Sequence, residues 1–564
     1  MIDIKGKPFY LDEEGIEWVK KTLAGMRVEE KIGQLFCLTD ITMDPAVLTE
    51  MVRKYRPGAY LTRAGDAEEV KAALAAMQET SPIPMLFPCN LESGGNGIAS
   101  QGTFFARPMA VAATGDDENA RRLGLVCARE AGALGCNWAL APIVDIDYNW
   151  RNPITNVRTF GADPDTVLSM AEAYMEGVRT SGIPMAVCLK HFPGDGVDER
   201  DQHLLPTVND LPFDVWMETY GWIYRKLIEK GAQTVMAGHI YQPALEQSSD
   251  PDIRRADMLP ASQSRALLTG ILRERFGFNG LIVTDATPMV GYNVAQRRAD
   301  ALRTSIAAGA DMLMFCKNIE EDFAAIRQGL ESGAISRERV DNAVMRQLAL
   351  KASLSLHKAR DSRMDISAVG CEEHKLWSSE CADRSVTLVR DRLQILPISP
   401  QKTPHIRLTV LGEGEDGGFG DGSSVGALFR EALEQEGFRV SMYDRGTMEH
   451  GEIFTSGVAD MQAKFDLSIV AANVSTSSNH TTRRLDWIPL MAADEPWYTK
   501  DIPTVFVSFC NPYHLFDVPF MDCFINAYSS NPAAVKTVTK KLLGWSAFYG
   551  ISPVDSFCGR KDLE

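Results

Sequence analysis

The stretch DPDTVLSMAEAYMEGVRTSGIPMAVCLKHFPG, residues 163–194, places a helix pattern directly before a strand pattern. Asp163–Arg179 is amphipathic and has acidic residues at its start, where they favour a helix N-terminus. Met185–His191 is a nearly continuous apolar run, which is typical of a parallel strand covered on both faces. This order predicts one unit of a parallel α/β sheet.

The same alternation extends through the first 351 residues. Amphipathic segments such as Asp117–Leu134 and Leu267–Phe276 separate short apolar runs. Eight strands alternating with helices over this length predict one (β/α)8 barrel, and an open doubly wound sheet is the alternative. The predicted strands are Gly33–Leu38, Gly58–Leu61, Pro84–Asn90, Trp138–Ile146, Met185–His191, Thr234–Ile240, Leu281–Asp285 and Asp311–Cys316.

A second region with the same rhythm begins at Ser385, after the charged stretch Ala352–Arg384, which lacks strand periodicity. We predict a barrel over residues 1–351, a linker with a helix over 352–384 and an α/β sandwich over 385–564. The predicted strands of the sandwich are Ser385–Leu388, His405–Val410, Arg439–Tyr443, Leu467–Ala472, Thr504–Phe509 and Cys523–Tyr528, and its predicted helices include Val425–Glu436 and Pro532–Leu543.

The composition narrows the function class. The chain has 564 residues and a net charge of −17, which argues against nucleic acid or an anionic membrane as a partner. No apolar run approaches the ~18 residues that span a bilayer, and Met1–Lys5 does not resemble a secretory signal. The 11 cysteines include no C-x-x-C pair, so reduced thiols fit best. These features predict a cytoplasmic protein, and they do not indicate an oligomeric state.

Reactive side chains follow several predicted strands. Because the catalytic groups of a barrel lie at the C-terminal ends of its strands, these positions are candidates for a site. Asp285 lies at a strand tip, where its carboxylate could attack the C1 atom of a sugar. Alternatively, Asp285 caps the next helix or pairs with Lys190 or Arg158. Lys190, His191 and Arg158 could donate hydrogen bonds to sugar hydroxyls, or they could form salt bridges at the rim.

Asp201 and His203 lie two residues apart in the loop after the fifth strand. In an extended loop their side chains point the same way, so the carboxylate could orient the imidazole as a general acid and then a general base. A solvated acidic loop is one alternative, and a divalent metal held with Asp195 and Asp198 is another. We predict no metal, because the spacing matches no recognised ligand set.

The motif Gly412–Gly417 fits G-x-G-x-x-G and is followed by Asp444, which resembles a dinucleotide fingerprint. However, Glu413, Glu415 and Asp416 would repel a pyrophosphate. An acidic loop is the better interpretation, and no cofactor is predicted.

Taken together, these motifs resemble glycoside hydrolase family 3, in particular its β-N-acetylglucosaminidase branch. Lys190–Gly194 with Asp201–His203 and Pro206 is similar to the K-H-F-P-G-H-G…D-S-H…P motif of that branch. Further similar segments occur in the expected order: Ala139–Asp145, Arg158–Pro164, Gly280–Asp285 with Met289, and Ser508–Pro512 with Ala527–Tyr528.

The resemblance implies a retaining, exo-acting enzyme that removes terminal β-linked N-acetylglucosamine from small glycans or cell-wall fragments. Asp285 would be the nucleophile, and His203, oriented by Asp201, would be the acid/base. Arg158, Lys190 and His191 would bind the terminal sugar. A histidine acid/base leaves less negative charge beside the intermediate than a carboxylate would, so a phosphorylase is an alternative. A sugar-binding barrel without activity is another.

The chain departs from the family pattern at several positions. The usual D-Q-E-G-G-R begins at Asn90, so either Asn90 or Glu92 would contact the sugar. Asp195 replaces the second histidine of K-H-F-P-G-H-G, and Gln202 replaces the serine of D-S-H. After the nucleophile, Ala286 and Thr287 replace Asp and Leu. We therefore predict a diverged subgroup with an altered substrate preference.

Overall fold

The computed structural model describes residues 2–39, 41–358, 365–412, 424–443, 455, 457–476, 478–493 and 495–563. The chain forms two compact units. The first contains Met1–Phe104, Ala120–Asn152 and Pro164–Lys375, and the second contains Phe105–Asn119, Pro153–Asp163 and Leu376–Glu564. Two short segments that we assigned to the barrel by sequence position thus group with the second unit. The predicted boundaries at residues 351 and 385 stay a prediction.

The described residues of the first unit contain ten strands. They are β1 Phe36–Thr39, β2 Ala59–Leu61, β3 Pro88–Cys89, β4 Trp138–Ala139, β5 Ala186–Phe192, β6 Thr207–Val208, β7 Thr234–Ala237, β8 Ile240–Tyr241, β9 Leu281–Ala286 and β10 Met312–Met314. Eight of them form one parallel sheet in the order β2-β1-β10-β9-β7-β5-β4-β3, and β6 pairs with β8 separately.

Two hydrogen bonds join the ends of the eight-stranded sheet. Tyr60 N donates to the Leu86 carbonyl at 3.0 Å, and Leu86 N donates to the Gly58 carbonyl at 3.1 Å. These bonds connect β2 to the residues before β3, so the sheet closes into a barrel. The predicted barrel is confirmed, and the open doubly wound sheet is wrong.

The fourth strand is much shorter than predicted, because Trp138–Ile146 forms regular strand only at Trp138–Ala139. Pro142 lacks an N–H donor, which interrupts the ladder. At the first strand, residues 33 and 34 end the helix Val28–Gln34 rather than begin β1. The residues of β5 are buried along its whole length, as a strand covered on both faces requires.

Helices follow the barrel strands, and side-chain caps mark several of their starts. Asp66 and Ser336, for example, accept backbone N–H bonds at the N-termini of Ala67–Thr80 and Arg337–Ser353. The predicted helix Leu267–Phe276 is a π-helix over Ala266–Arg275. In chain order the α-helices up to residue 385 are α1 Glu13–Gly25, α2 Val28–Gln34, α3 Pro45–Tyr55, α4 Ala67–Thr80, α5 Pro108–Ala113, α6 Asp117–Ala133, α7 Pro164–Thr180, α8 Phe213–Glu218, α9 Tyr220–Glu229, α10 Pro243–Ser249, α11 Val290–Asn293, α12 Arg298–Ala308, α13 Ile319–Glu331, α14 Arg337–Ser353 and α15 Glu372–Ser385.

The second unit is built on a six-stranded sheet. Its strands are β11 Thr387–Asp391, β12 His405–Leu411, β13 Arg439–Met442, β14 Leu467–Ala472, β15 Thr504–Ser508 and β16 Cys523–Asn526, in the order β11-β16-β15-β14-β12-β13. Only the pair β11 and β16 is antiparallel among the described strands of this sheet. Its helices are α16 Val425–Gln435, α17 Val458–Lys464, α18 Trp487–Ala492, α19 Glu495–Tyr498 and α20 Pro532–Leu542.

Two separate apolar clusters cover the two faces of this sheet. Ile469 and Val505 belong to one cluster, and their neighbours Val470 and Phe506 belong to the other. This alternation follows the two-residue period of a strand, so the predicted α/β sandwich is confirmed. Of the Gly412–Gly417 motif only Gly412 is described; Glu413, Glu415, Asp416, Gly417 and Asp444 lie outside the described residues. Within the described part of the chain, no helix is both long and apolar enough to cross a membrane.

Candidate active site

Asp285 lies near the C-terminal end of β9, and 14% of its side chain is exposed. Its Oδ1 accepts a hydrogen bond from Ala286 N at 2.7 Å, and its Oδ2 lies 3.9 Å from Nε2 of His191. Burial alone would raise the pKa of Asp285, but the surrounding histidines, His191 foremost, lower it below its ordinary value. The carboxylate is therefore ionised at neutral pH, as a nucleophile must be.

Asp145 holds His191 in position. Its Oδ2 lies 2.7 Å from Nδ1 of His191, and its Oδ1 accepts the backbone N–H groups of His191 and Asp195 at 3.0 and 2.8 Å. Because an ionised carboxylate only accepts, Nδ1 carries the proton and Nε2 is turned toward Asp285. The family-like segment Ala139–Asp145 ends at this residue, but the sequence pattern predicts no role for Asp145.

Asp201 and His203 form the predicted pair. Nδ1 of His203 lies 2.6 Å from Oδ1 of Asp201, which also accepts His203 N at 2.8 Å. The Asp201 side chain is fully enclosed, whereas 24% of the His203 side chain is exposed. The carboxylate thus fixes the imidazole at Nδ1 and leaves Nε2 as the atom that can exchange a proton with a substrate.

Lys190 and Glu92 form a buried ion pair with an Nζ–Oε1 distance of 2.7 Å and side-chain exposures of 4% and 12%. Asn90, the other candidate at this position, is exposed. The structure thus pairs Glu92 with Lys190, and whether Glu92 or Asn90 contacts the sugar stays a prediction. The alternative interpretation of Lys190, Arg158 and His191 is that they form salt bridges at the barrel rim. The pair with Glu92 is such a salt bridge for Lys190.

Arg158 belongs to the second compact unit, where it ends the short 3₁₀ turn Asn156–Arg158. Its Nη1 donates to the Ile154 carbonyl at 3.3 Å. Its predicted contact with the sugar stays a prediction.

The acidic residues of the loop after β5 take separate partners. Asp198 accepts from Arg200, and Asp195 accepts from Asn152 and Gln202. Burial and the nearby charge of Asp145 raise the pKa of Asp195 to about 8. Among the residues that the structure describes, no group of three or more histidine, cysteine or acidic side chains could hold a metal. The metal alternative therefore has no geometric support here.

His239, at the end of β7, is a further histidine of this region that we did not select from the sequence. Its Nε2 lies 3.1 Å from the carbonyl of Ala286, which only accepts, and its Nδ1 lies 2.9 Å from the Ser262 hydroxyl. Burial lowers the pKa of His239 to about 4, so the ring is neutral and donates through Nε2. It anchors the backbone beside Asp285.

Residues 27–350 match the glycosyl hydrolase family 3 N terminal domain, which is more than half of the chain. The chain belongs to glycoside hydrolase family 3. It is therefore an enzyme of the glycoside hydrolase class, and the predicted family is confirmed.

Relatives of this family 3 chain carry different activity names. A β-N-acetylglucosaminidase/β-glucosidase of Cellulomonas fimi is 43% identical over 568 residues and covers 100% of both chains. A structure named β-glucoside phosphorylase BglX is 44% identical, with a TM-score of 0.92 over 100% of this chain and 99% of that one. A family 3 β-N-acetylglucosaminidase from Paenibacillus sp. FPU-7, 22% identical, shares the fold with a TM-score of 0.80 over 94% of this chain and 99% of that one.

Proposed function

We propose that this enzyme removes terminal β-linked N-acetylglucosamine from small glycans or cell-wall fragments, with retention of configuration. The observation that carries the proposal is the combination of an ionised carboxylate, Asp285, on β9 with the Asp201–His203 pair on the loop after β5. The first supplies a nucleophile and the second a proton donor and acceptor, which are the two groups that a double displacement needs.

In the first step, the Asp285 carboxylate attacks C1 of the sugar and the bond from C1 to the leaving oxygen breaks. His203 gives the proton on Nε2 to that oxygen, and Asp201 stabilises the imidazole through Nδ1. In the second step, water attacks C1 and releases Asp285, while His203 Nε2 takes the proton from the water. Neither step requires a cofactor. Lys190 would donate a hydrogen bond to the bound sugar, and Nε2 of His191 would accept one from a sugar hydroxyl.

N-acetylglucosamine is the proposed sugar because the Asp-x-His pair resembles that branch of the family and because the full-length relative from C. fimi is named for it. That relative is also named for β-glucosidase activity, so β-glucosides are the comparison substrates.

Phosphate as the acceptor is the second candidate. The specific observation is that the proton-transfer group is an imidazole whose partner carboxylate, Asp201, is fully enclosed. A phosphate anion approaching C1 would meet less exposed negative charge than beside an unshielded carboxylate. The full-length likeness to a structure named for phosphorylase activity supports this candidate. The glycosyl–Asp285 step is common to both.

Trapping tests the proposal directly. The enzyme is incubated with a fluorinated N-acetylglucosamine donor, and the intact mass is measured before peptide mapping. We expect one added sugar on the peptide that contains Asp285, and no added mass on Asp285→Ala. A label on another residue, or full turnover by Asp285→Ala, would refute the assignment. Absence of both label and turnover would favour a sugar-binding barrel.

The acceptor is identified by the products of nitrophenyl β-N-acetylglucosaminide cleavage with and without inorganic phosphate. Free N-acetylglucosamine in both conditions supports hydrolysis. N-acetylglucosamine 1-phosphate that increases with phosphate supports phosphorolysis. The matched variant His203→Asn should slow either reaction by about 10²–10⁴-fold, the range of general acid–base catalysis.

A further inference from the structure

We propose that Gln202 is a positioning residue that holds His203 in its catalytic place before substrate binds. The inference rests on the proposed role of His203 as the acid/base. Gln202 lies between Asp201 and His203 and takes no part in the proposed reaction steps.

Both ends of the Gln202 amide are bonded, and the residue is 1% exposed. Its Oε1 accepts His239 N at 2.8 Å, and its Nε2 donates to Oδ2 of Asp195 at 3.3 Å. The donor at His239 N fixes which end of the amide is oxygen. Gln202 therefore ties the end of the loop after β5 that carries His203 to the backbone that follows β7 on one side and to the start of the same loop on the other.

Asp195 is itself held in place. Its Oδ1 accepts Asn152 Nδ2 at 3.0 Å and Gly196 N at 2.8 Å, and its own N–H donates to Asp145. Since Asp145 also fixes His191, the bonds from Gln202 end on the same scaffold that positions the residues around Asp285.

Two glycines, Gly238 and Gly291, lack the side chains that would collide with Gln202. A Cβ atom on Gly238 would lie 2.8 Å from Oε1 of Gln202, and one on Gly291 would lie 2.1 Å from its carbonyl oxygen. Val290 N donates to the carbonyl of His203 at 2.9 Å, so the backbone after β9 is also hydrogen-bonded to this loop. The loop is thus clamped between the segments that follow β7 and β9.

The two departures from the family motif in this loop contact each other. Asp195 replaces a histidine and Gln202 replaces a serine, and the two side chains share a hydrogen bond. A serine at 202 would be too short to reach both His239 N and Asp195. This chain therefore has its own support for His203, which runs through Gln202 to His239 and from there to Ala286 beside Asp285.

The test compares aryl β-N-acetylglucosaminides whose leaving groups need increasing help from an acid: dinitrophenyl, nitrophenyl and unsubstituted phenyl. For Gln202→Ser we expect kcat/KM to be nearly unchanged with the dinitrophenyl substrate and to fall by about 10²-fold with the phenyl substrate, the scale of a misplaced catalytic group. A residue with only a structural role would lower all three equally.

The matched control is Gln347→Ser, which alters an equally buried glutamine bonded to the Asp311 carbonyl, away from these residues. It should give no dependence on the leaving group. Asp195→Asn is the second variant, because it keeps the shape but turns an N–H group toward Nε2 of Gln202. It should reproduce the leaving-group dependence, and it tests the proposal even if Gln202→Ser folds poorly.

An equal loss on all three substrates for both Gln202→Ser and Asp195→Asn would overturn the inference. The proposed function fails separately: if His203→Asn itself shows no leaving-group dependence, His203 is not the acid.

Discussion

The two ends of the barrel each bury an aspartate whose pKa is lowered, yet they surround it differently. Asp285 at the C-terminal end of β9 receives one backbone hydrogen bond among the described residues and faces His191 at 3.9 Å. Asp311, just before β10, accepts Ile282 N and is paired with Arg273, Arg339 and Arg346.

The side chains around each carboxylate explain why Asp311 is structural and Asp285 is available for chemistry. The arginines around Asp311 also donate to backbone carbonyls, such as Arg273 to Phe278 and Gly280, so that cluster is internally satisfied. At Asp285 the facing side chain is the imidazole of His191, whose Nε2 lies 3.9 Å from Oδ2 and thus beyond hydrogen-bond distance. A buried carboxylate is therefore structural where its partners saturate it and chemically available where they do not. This agrees with the division of barrels into a catalytic and a stabilising face.

Asp285→Asn should show the largest effect. Loss of the nucleophile should lower kcat on nitrophenyl β-N-acetylglucosaminide on the order of 10⁶-fold. The urea midpoint of unfolding should change little, because few bonds to the carboxylate are lost. A folded Asp285→Asn variant that kept activity would contradict the view that Asp285 is the chemically active carboxylate of the two.

Asp311→Asn should act in the opposite way. Removing the charge leaves three arginines uncompensated, so the free energy of unfolding should fall by about 3–5 kcal/mol. Activity per folded molecule should persist. Burial would raise the pKa of Asp311, but the arginines lower it. Its stabilisation is therefore complete above the unfolded value of about 3.9 and is lost as the pH falls, so urea unfolding should show a smaller difference in acid.

Lys351 is a second buried charged residue on the stabilising face of the barrel, and it should make stability depend on pH. It is fully buried, its Nζ donates to Gln34, and burial lowers its pKa to about 7. The unfolded chain, with an ordinary pKa of about 10.4, binds more protons between these values, so stability should rise with pH. Between pH 7.5 and 9 the gain from this group should be about 2 kcal/mol. Lys351→Met should flatten that rise in urea unfolding; an unchanged slope would assign it to other groups.

Glu92→Gln should give the smallest effect, at the catalytic face. The amide keeps a hydrogen bond to Lys190 but removes the charge, so kcat/KM should fall about tenfold if the pair holds the sugar. The matched control is Glu29→Gln, whose exposed pair with Arg327 should contribute nothing to turnover. Equal kinetics for both variants would argue against Glu92, and for Asn90, as the residue that contacts the sugar.

Periodicity predicted the fold well because it reports burial. All eight barrel strands and all six strands of the sandwich overlap the predicted runs. The lengths of the strands were less predictable. Strands β3 and β4 contain only two residues each, far fewer than predicted, because regular pairing depends on neighbours that are distant in sequence. Short local motifs also located Asp285, Lys190 and His191 near strand ends, and Asp201 and His203 in the loop after β5.

The sequence by itself determined the order of strands and helices, the family and the chemical types of the reactive side chains, because these depend on local pattern and residue identity. Only the tertiary structure decided which carboxylate serves which partner. It joined Asp145 to His191, Glu92 to Lys190 and Gln202 to Asp195 and His239. The physical reason is that hydrogen bonds and charge interactions depend on distances across the barrel rim, and closure of the sheet sets those distances.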